Sequence, residues 1–180
     1  MKILRTKIKK EFNLRTEKNF PIEGMEFIDI NPLLFDKEVY KEITNKFARN
    51  AKKCNADYIV CPEARGFLLG TAVAYKLGIG ILPVRKRGKL APSTIVKEVI
   101  YEKEYGVDYL SLPKLDKDSY VGKNFYIIDD VYATGNTIKA ISDGIKELGG
   151  SVTGVGVIIN IKELNKSKGV YSLIDVNEEY

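Results

Sequence analysis

Between Lys37 and Cys54 the apolar positions Val39, Ile43, Phe47 and Ala51 recur every fourth residue, and Lys41, Glu42, Lys46, Arg49 and Lys52 stand between them. That period places one apolar stripe on a helix whose other faces meet water. The pattern then changes. Tyr58-Ile59-Val60-Cys61-Pro62 is a continuous apolar run ended by proline, which predicts a short buried strand. Gly66 to Leu77 is apolar on all sides and is followed by Gly78, which predicts a buried helix with a glycine stop. Ile79 to Val84 reads as a second strand, and Asn124-Phe125-Tyr126-Ile127-Ile128 as a third. The helix after it runs from Thr137 to Leu148, with Ile138, Ile141, Ile145 and Leu148 on one face and Gly149-Gly150 as its stop. Val152 to Ile159 is a last strong strand. Strands that are continuous apolar runs, alternating with helices, predict an α/β fold with a doubly wound, mainly parallel sheet covered on both faces.

Arg85 to Lys123 breaks this rhythm into a charged, proline-containing stretch with weak strands at Thr94 to Tyr101 and Tyr109 to Leu112. A long connection of this kind is characteristic of a mobile cover over a site, and we expect one over about residues 85–112. The chain after Lys162 carries no pattern that assigns it a role.

Composition narrows the chemistry. With 180 residues, 44% hydrophobic and 29% charged, the chain is expected to form a single domain over 1–180. No apolar run approaches the roughly 18 residues of a membrane span. The basic start Met1 to Lys7 lacks the apolar core of a secretory signal, so the expected home is the cytoplasm, with no membrane association. The absence of histidine excludes Ser-His-Asp and Cys-His nucleophile systems and His-containing zinc sites. Cys54 and Cys61 read as two thiols in a reducing compartment. The excess of 29 Lys+Arg over 24 Asp+Glu suits nucleic acid or a small polyanion, and charge alone does not separate the two.

The chemistry-bearing stretch is Ile127-Ile128-Asp129-Asp130-Val131-Tyr132-Ala133-Thr134-Gly135-Asn136-Thr137, a buried strand ending in two carboxylates and running through small residues into a helix. At the carboxyl end of a parallel strand, loop N–H groups and the helix N-terminus can surround a phosphate, with Thr134 and Thr137 adding hydroxyls. Two carboxylates beside it would repel that phosphate, so they are expected to face neutral hydroxyls or a divalent cation. A sugar phosphate satisfies both halves.

This string resembles the phosphoribosyl-pyrophosphate motif of the type I phosphoribosyltransferases. Glu63-Ala64-Arg65-Gly66-Phe67 and Pro83-Val84-Arg85-Lys86-Arg87-Gly88-Lys89-Leu90 resemble segments of the adenine-specific branch of that family. So do Phe20-Pro21 through Gly24, Phe27, Asp29 and Pro32-Leu33-Leu34, and Glu104-Tyr105-Gly106. The resemblance spans about residues 16–160 in order. It implies the family's fold, with a small N-terminal hood over about residues 12–36. It also implies transfer of the 5-phosphoribosyl group from phosphoribosyl pyrophosphate to adenine, giving AMP and pyrophosphate in purine salvage.

The same resemblance implies the roles of residues. Asp129 and Asp130 would hold the ribose hydroxyls, directly or through Mg²⁺, and Ala133, Thr134, Gly135, Asn136 and Thr137 the 5′-phosphate. Arg65 would meet the pyrophosphate, with Arg85, Lys86 and Lys89 adding charge across a homodimer interface. Phe27 would stack on the base, Glu104 would contact its N7, and Tyr105 would lie beside it in the cover. Ile28 stands where the family has an arginine, and Asn136 where it has a second glycine. Two other readings remain at this point: a hypoxanthine, guanine or xanthine enzyme of the same fold, and a non-catalytic regulator that senses phosphoribosyl pyrophosphate and binds DNA. The regulator needs an added DNA-binding domain, whereas the hood and the Val39 helix occupy the residues ahead of Tyr58, so no nucleic-acid partner is expected.

Overall fold

The computed structural model describes residues 15–20, 23–24, 26–103, 106–114, 120–165 and 169–176. Two compact units emerge, one within the first 44 residues and one from Asn45 onward.

In the first unit, β1 (Arg15–Lys18) pairs antiparallel with β2 (Glu26–Asp29), setting Thr16 opposite Ile28 and Glu17 opposite Phe27. The Phe27 ring stands edge-on to Phe20 at 5.3 Å. The short helix α1 (Asn31–Phe35) carries Pro32 in its first turn, where a missing N–H costs nothing, and buries Leu33. Helix α2 (Lys37–Lys53) follows, and Asp36 Oδ1 accepts from the Glu38 and Val39 amides at 2.8 and 3.0 Å, capping its start.

The second unit is built on a seven-stranded sheet. Its strands are β3 (Tyr58–Pro62), β4 (Gly80–Lys86), β5 (Ile95–Lys103), β6 (Gly106–Pro113), β7 (Asn124–Tyr132), β8 (Ser151–Ile161) and β9 (Val170–Val176), in the order β5-β6-β4-β3-β7-β8-β9. The five strands β4-β3-β7-β8-β9 run parallel, while β6 joins β4 and β5 joins β6 antiparallel. Helix α3 (Arg65–Leu77) lies against the face that carries Ile59 and Cys61. Helix α4 (Asn136–Glu147) presents Ile138, Ile141 and Ile145 to the opposite face, among Val60, Phe125, Ile127 and Val157. Both faces are therefore covered, which is why β3 and β7 read as unbroken apolar runs. The last part of α2 shares the α3 face, where the Tyr126 hydroxyl meets Asn50 Oδ1 at 2.5 Å. There Gly154 and Gly156 leave room for the Tyr126 ring, whose atoms would stand 2.7 Å from a Cβ at either position.

Two expectations change and one pair of strands is found where it was expected. Within the segment expected as a cover over 85–112, the weak strands at Thr94 to Tyr101 and Tyr109 to Leu112 correspond to β5 and β6, an antiparallel hairpin that buries Val99, Tyr101, Leu110 and Leu112 against α4. Alternate residues point inward, so the hairpin needs only half of its side chains to be apolar, and its sequence looks charged. Helix α3 is not buried on all sides, since Leu68 is 51% and Tyr75 90% exposed. The tail after Lys162 supplies β9, parallel to β8, with Leu173, Ile174 and Val176 buried. Among the described residues no helix is long and apolar enough to cross a membrane.

Candidate active site

Strand β7 stays apolar and buried from Phe125 to Ile128 and turns to carboxylates only at the carboxyl edge of the sheet. Asp130 is buried, and its Oδ2 lies 2.8 Å from Nε of Arg65, the first residue of α3. Sequence placed Arg65 near a pyrophosphate; the fold pairs it with Asp130. The Asp130 amide donates to Asp129 Oδ1 at 2.9 Å. Desolvation, and next the adjacent Asp130 carboxylate, raise the Asp129 carboxyl well above its ordinary range, so this corner of the site is poised to take up positive charge. Helix α3 reaches it because Gly66 has no side chain: a Cβ there would stand 2.9 Å from the Ile128 carbonyl oxygen and 3.3 Å from Asp129 Oδ1.

After Tyr132 the chain forms the loop Ala133–Gly135 and enters α4 at Asn136. Gly135 has φ +84°, and a Cβ there would lie 2.3 Å from the Tyr132 hydroxyl, so only glycine fits on both counts. The N-cap Gly135 has no side chain to cap α4, and a helix start of this kind suits an anion. The Asn136 amide lies 3.4 Å from Thr134 Oγ1, and the Asn136 side chain donates to the Glu102 carbonyl of β5 at 3.1 Å. Asn136 thus ties the loop to the hairpin.

A third corner forms where β4 ends. Glu63 Oε2 accepts from Arg85 Nε at 3.0 Å and from the Lys86 amide at 2.9 Å. The Arg85 guanidinium also lies 5.7 Å from the Phe67 ring centroid. Lys86, the last residue of β4, and Lys89, in the turn that follows it, are exposed. Arg87 stacks on Tyr109 at 4.3 Å, and Lys97 pairs with Glu147 at 2.5 Å, so both of these cations are engaged away from this corner. Burial pushes the Glu63 carboxyl up, but the Lys86 amide, then the hydrogen bond and charge of Arg85, outweigh it and leave the carboxyl below its ordinary value. A lowered carboxylate contributes stability above the unfolded value, about 4.3, and loses it as pH falls through the folded one. Glu63→Gln is therefore expected to flatten the acid limb of a melting-temperature profile and to cost at most about 1 kcal/mol at neutral pH, because the pair is partly solvated. An unchanged acid limb would remove the pair from the stability account.

Phe27 and Ile28 belong to the first unit, on β2. Glu104 and Tyr105 lie outside the described residues. The second unit brings together Arg65, Asp129, Asp130 and Ala133 to Thr137, with Arg85 and Lys86 at the end of β4 next to β3. Sequence reasoning missed the roles of Glu63, Gly66 and Asn165. Glu63 and Gly66 stand inside a motif already singled out, and a carboxylate whose basic partners lie 22 and 23 residues on, at the end of the neighbouring parallel strand, leaves no local signature. Asn165 donates from Nδ2 to the Ala133 carbonyl at 2.9 Å from a stretch without any pattern.

Among the described residues no three His, Cys, Asp or Glu side chains cluster as ligands for a metal ion. The adjacent Asp129 and Asp130, the first with its carboxyl raised by burial and then by its neighbour's charge, fit instead a hard divalent cation that takes most of its oxygens from a bound phosphate and water.

The described geometry can be set beside known proteins. Residues 37–179 match the model of the phosphoribosyl transferase domain. An adenine phosphoribosyltransferase of Clostridium acetobutylicum is 44% identical over 154 residues, covering 85% of this chain and 87% of that protein. One from Alkaliphilus oremlandii is 40% identical over 168 residues, covering 90% and 95%. The crystal structure of adenine phosphoribosyltransferase from Thermoanaerobacter pseudethanolicus superposes with TM-score 0.82 at 34% identity, covering 93% of this chain and 98% of that one. The Saccharomyces cerevisiae enzyme, complexed with an imino-altritol bisphosphate and adenine, superposes with TM-score 0.83 at 30% identity, covering 97% and 100%. A parallel sheet with paired carboxylates and an uncapped helix start at its carboxyl edge, in a chain this similar to those enzymes, has one family assignment: the chain belongs to the phosphoribosyltransferases.

Proposed function

We propose that this chain is an adenine phosphoribosyltransferase of purine salvage, converting adenine and phosphoribosyl pyrophosphate to AMP and pyrophosphate. The observation that carries the reading is the end of β7, where Asp129 and Asp130 precede a glycine-turned loop and an uncapped helix start. In this reading the loop from Ala133 to Thr137 binds the 5′-phosphate through its N–H groups, and Asp129 and Asp130 hold the ribose hydroxyls. As the bond from C1 to the pyrophosphate oxygen breaks, positive charge grows on the ribose beside two carboxylates. The bond from C1 to a purine nitrogen then forms and that nitrogen's proton is lost. Asp129 and Asp130 would hold Mg²⁺, which when bound would supply positive charge for the departing pyrophosphate. Arg65, Arg85, Lys86 and Lys89 add positive charge on the same side, Phe27 stacks on the base, and Glu104 shares a proton with N7. Tyr105 completes the cover over the reacting centre. A homodimer is supported by the exposed Leu68 and Tyr75 on α3, and a reducing compartment such as the cytoplasm by the free Cys54 and Cys61.

Adenine offers a donor amine at its six position where hypoxanthine and guanine carry an acceptor carbonyl. A backbone acceptor aimed there rejects the wrong base, because two acceptors would face each other unpaired. Incubation with phosphoribosyl pyrophosphate, Mg²⁺ and each purine in turn is expected to give a kcat/KM for adenine at least about a hundredfold above that for hypoxanthine. Ile28→Arg, which restores the family's side chain, is expected to lower the KM for adenine. Faster turnover of hypoxanthine, guanine or xanthine would overturn the base assignment and leave the ribose chemistry standing.

A further inference from the structure

The Ala133 carbonyl, the first of the candidate phosphate loop, is held from outside the motif. Asn165 follows a 3-10 turn at Lys162–Leu164, and its Nδ2 lies 2.9 Å from the Ala133 oxygen, 3.0 Å from Asn160 Oδ1 and 2.8 Å from the Ile161 oxygen. Two amide hydrogens are shared among three acceptors. Asn160, fully buried on β8 and opposite Tyr132 in the ladder, supplies one of them from a fixed position. The peptide between Ala133 and Thr134 is trans, so its N–H points opposite to its carbonyl. A carbonyl turned to Asn165 therefore turns the Thr134 N–H away from the tail.

We propose that Asn165, braced by Asn160, is a positioning residue for the sugar 5′-phosphate: it sets the Ala133–Thr134 peptide so that the Thr134 N–H faces the phosphate. The inference rests on the phosphoribosyltransferase reading of this loop. It gives the tail after β8 a task in substrate binding, in addition to the strand it contributes. A loop N–H that is already aimed spares the ligand the ordering of that peptide, so the advantage appears in affinity for phosphate-bearing ligands and not in the chemical step.

The test compares wild type, Asn165→Ala and Asn165→Asp, the last keeping the shape while removing both donors. Calorimetry with ribose 5-phosphate, AMP and adenosine is expected to show the two phosphates weakened about tenfold and adenosine within about twofold of wild type. The KM for phosphoribosyl pyrophosphate should rise about tenfold while kcat at saturation changes less than about threefold. Equal weakening of AMP and adenosine, or unchanged phosphate affinity in a variant that has lost the bond, would overturn the proposal. Should neither variant fold, hydrogen exchange at the Thr134 amide of wild type decides: slowing on ribose 5-phosphate binding is expected, and no slowing refutes it. A wild type that binds ribose 5-phosphate but not AMP would sink the adenine reading and leave this inference standing, whereas a wild type that binds neither would sink both.

Discussion

Asp130→Asn and Asp129→Asn are each expected to lower turnover at saturating substrates at least about tenfold, since contacts made to developing charge are worth a few kcal/mol. The two variants should differ in stability. Asp130 is buried against Arg65 Nε at 2.8 Å, so its amide replacement leaves a guanidinium beside a neutral group. Because the Arg65 side chain is 42% exposed, water takes over part of that partnership and the cost should stay near ~1 kcal/mol. Asp129 carries a carboxyl raised by desolvation and by its neighbour, so neutralising it removes repulsion and should leave the melting temperature unchanged or higher. Stability and turnover thus move in opposite directions at Asp129, a pattern expected of a group kept for function. Wild-type turnover in both variants would remove the ribose and metal role.

The second large effect is expected at Gly66. Gly66→Ala sets a Cβ 2.9 Å from the Ile128 oxygen and 3.0 Å from Pro62 Cδ, and the first of these is backbone of β7. Neither atom can rotate away, so the N-terminus of α3 must retreat, at about 1–3 kcal/mol in stability. Its retreat carries Arg65 away from Asp130, and turnover should fall at least about tenfold. Gly70→Ala is the control on the same helix. Its Cβ would meet Cys61 Sγ at 1.9 Å, deep in the core, so a comparable loss of stability is expected with kcat nearly unchanged. Equal losses of kcat in the two variants would show that α3 acts as packing alone.

The parallel core was legible because its strands are buried on both faces, and burial on both faces writes itself into sequence as an unbroken apolar run, as at Phe125 to Ile128. The helices α2 and α4 were legible from their period, and the paired aspartates from their place at a strand's end. The hairpin β5–β6 was harder to read: Val99, Tyr101, Leu110 and Leu112 face inward, whereas Glu98, Ile100 and Glu102 alternate outward. Strand β9 escaped altogether, because its partner β8 and not its own pattern fixes its register. At the site, sequence reasoning found the residues that precede the loop and those within it. It did not find the contacts that cross from one strand end to the next, Arg65 to Asp130 and Glu63 to Arg85, since partners on different elements share no spacing.

The hairpin also has an open side. Among the described residues β5 is one border of the seven-stranded sheet, and a border strand offers unpaired N–H and C=O groups on which a foreign chain can assemble. Its register shifts between Ile95 and Lys97, a bulge at Val96 that interrupts any regular ladder. The exposed Ile100 is flanked outward by Glu98 and Glu102, so a strand docking there would meet carboxylates on both sides of it. The charge that weakened the strand pattern of this segment therefore has a second consequence: it disfavours the docking of a foreign strand on this border.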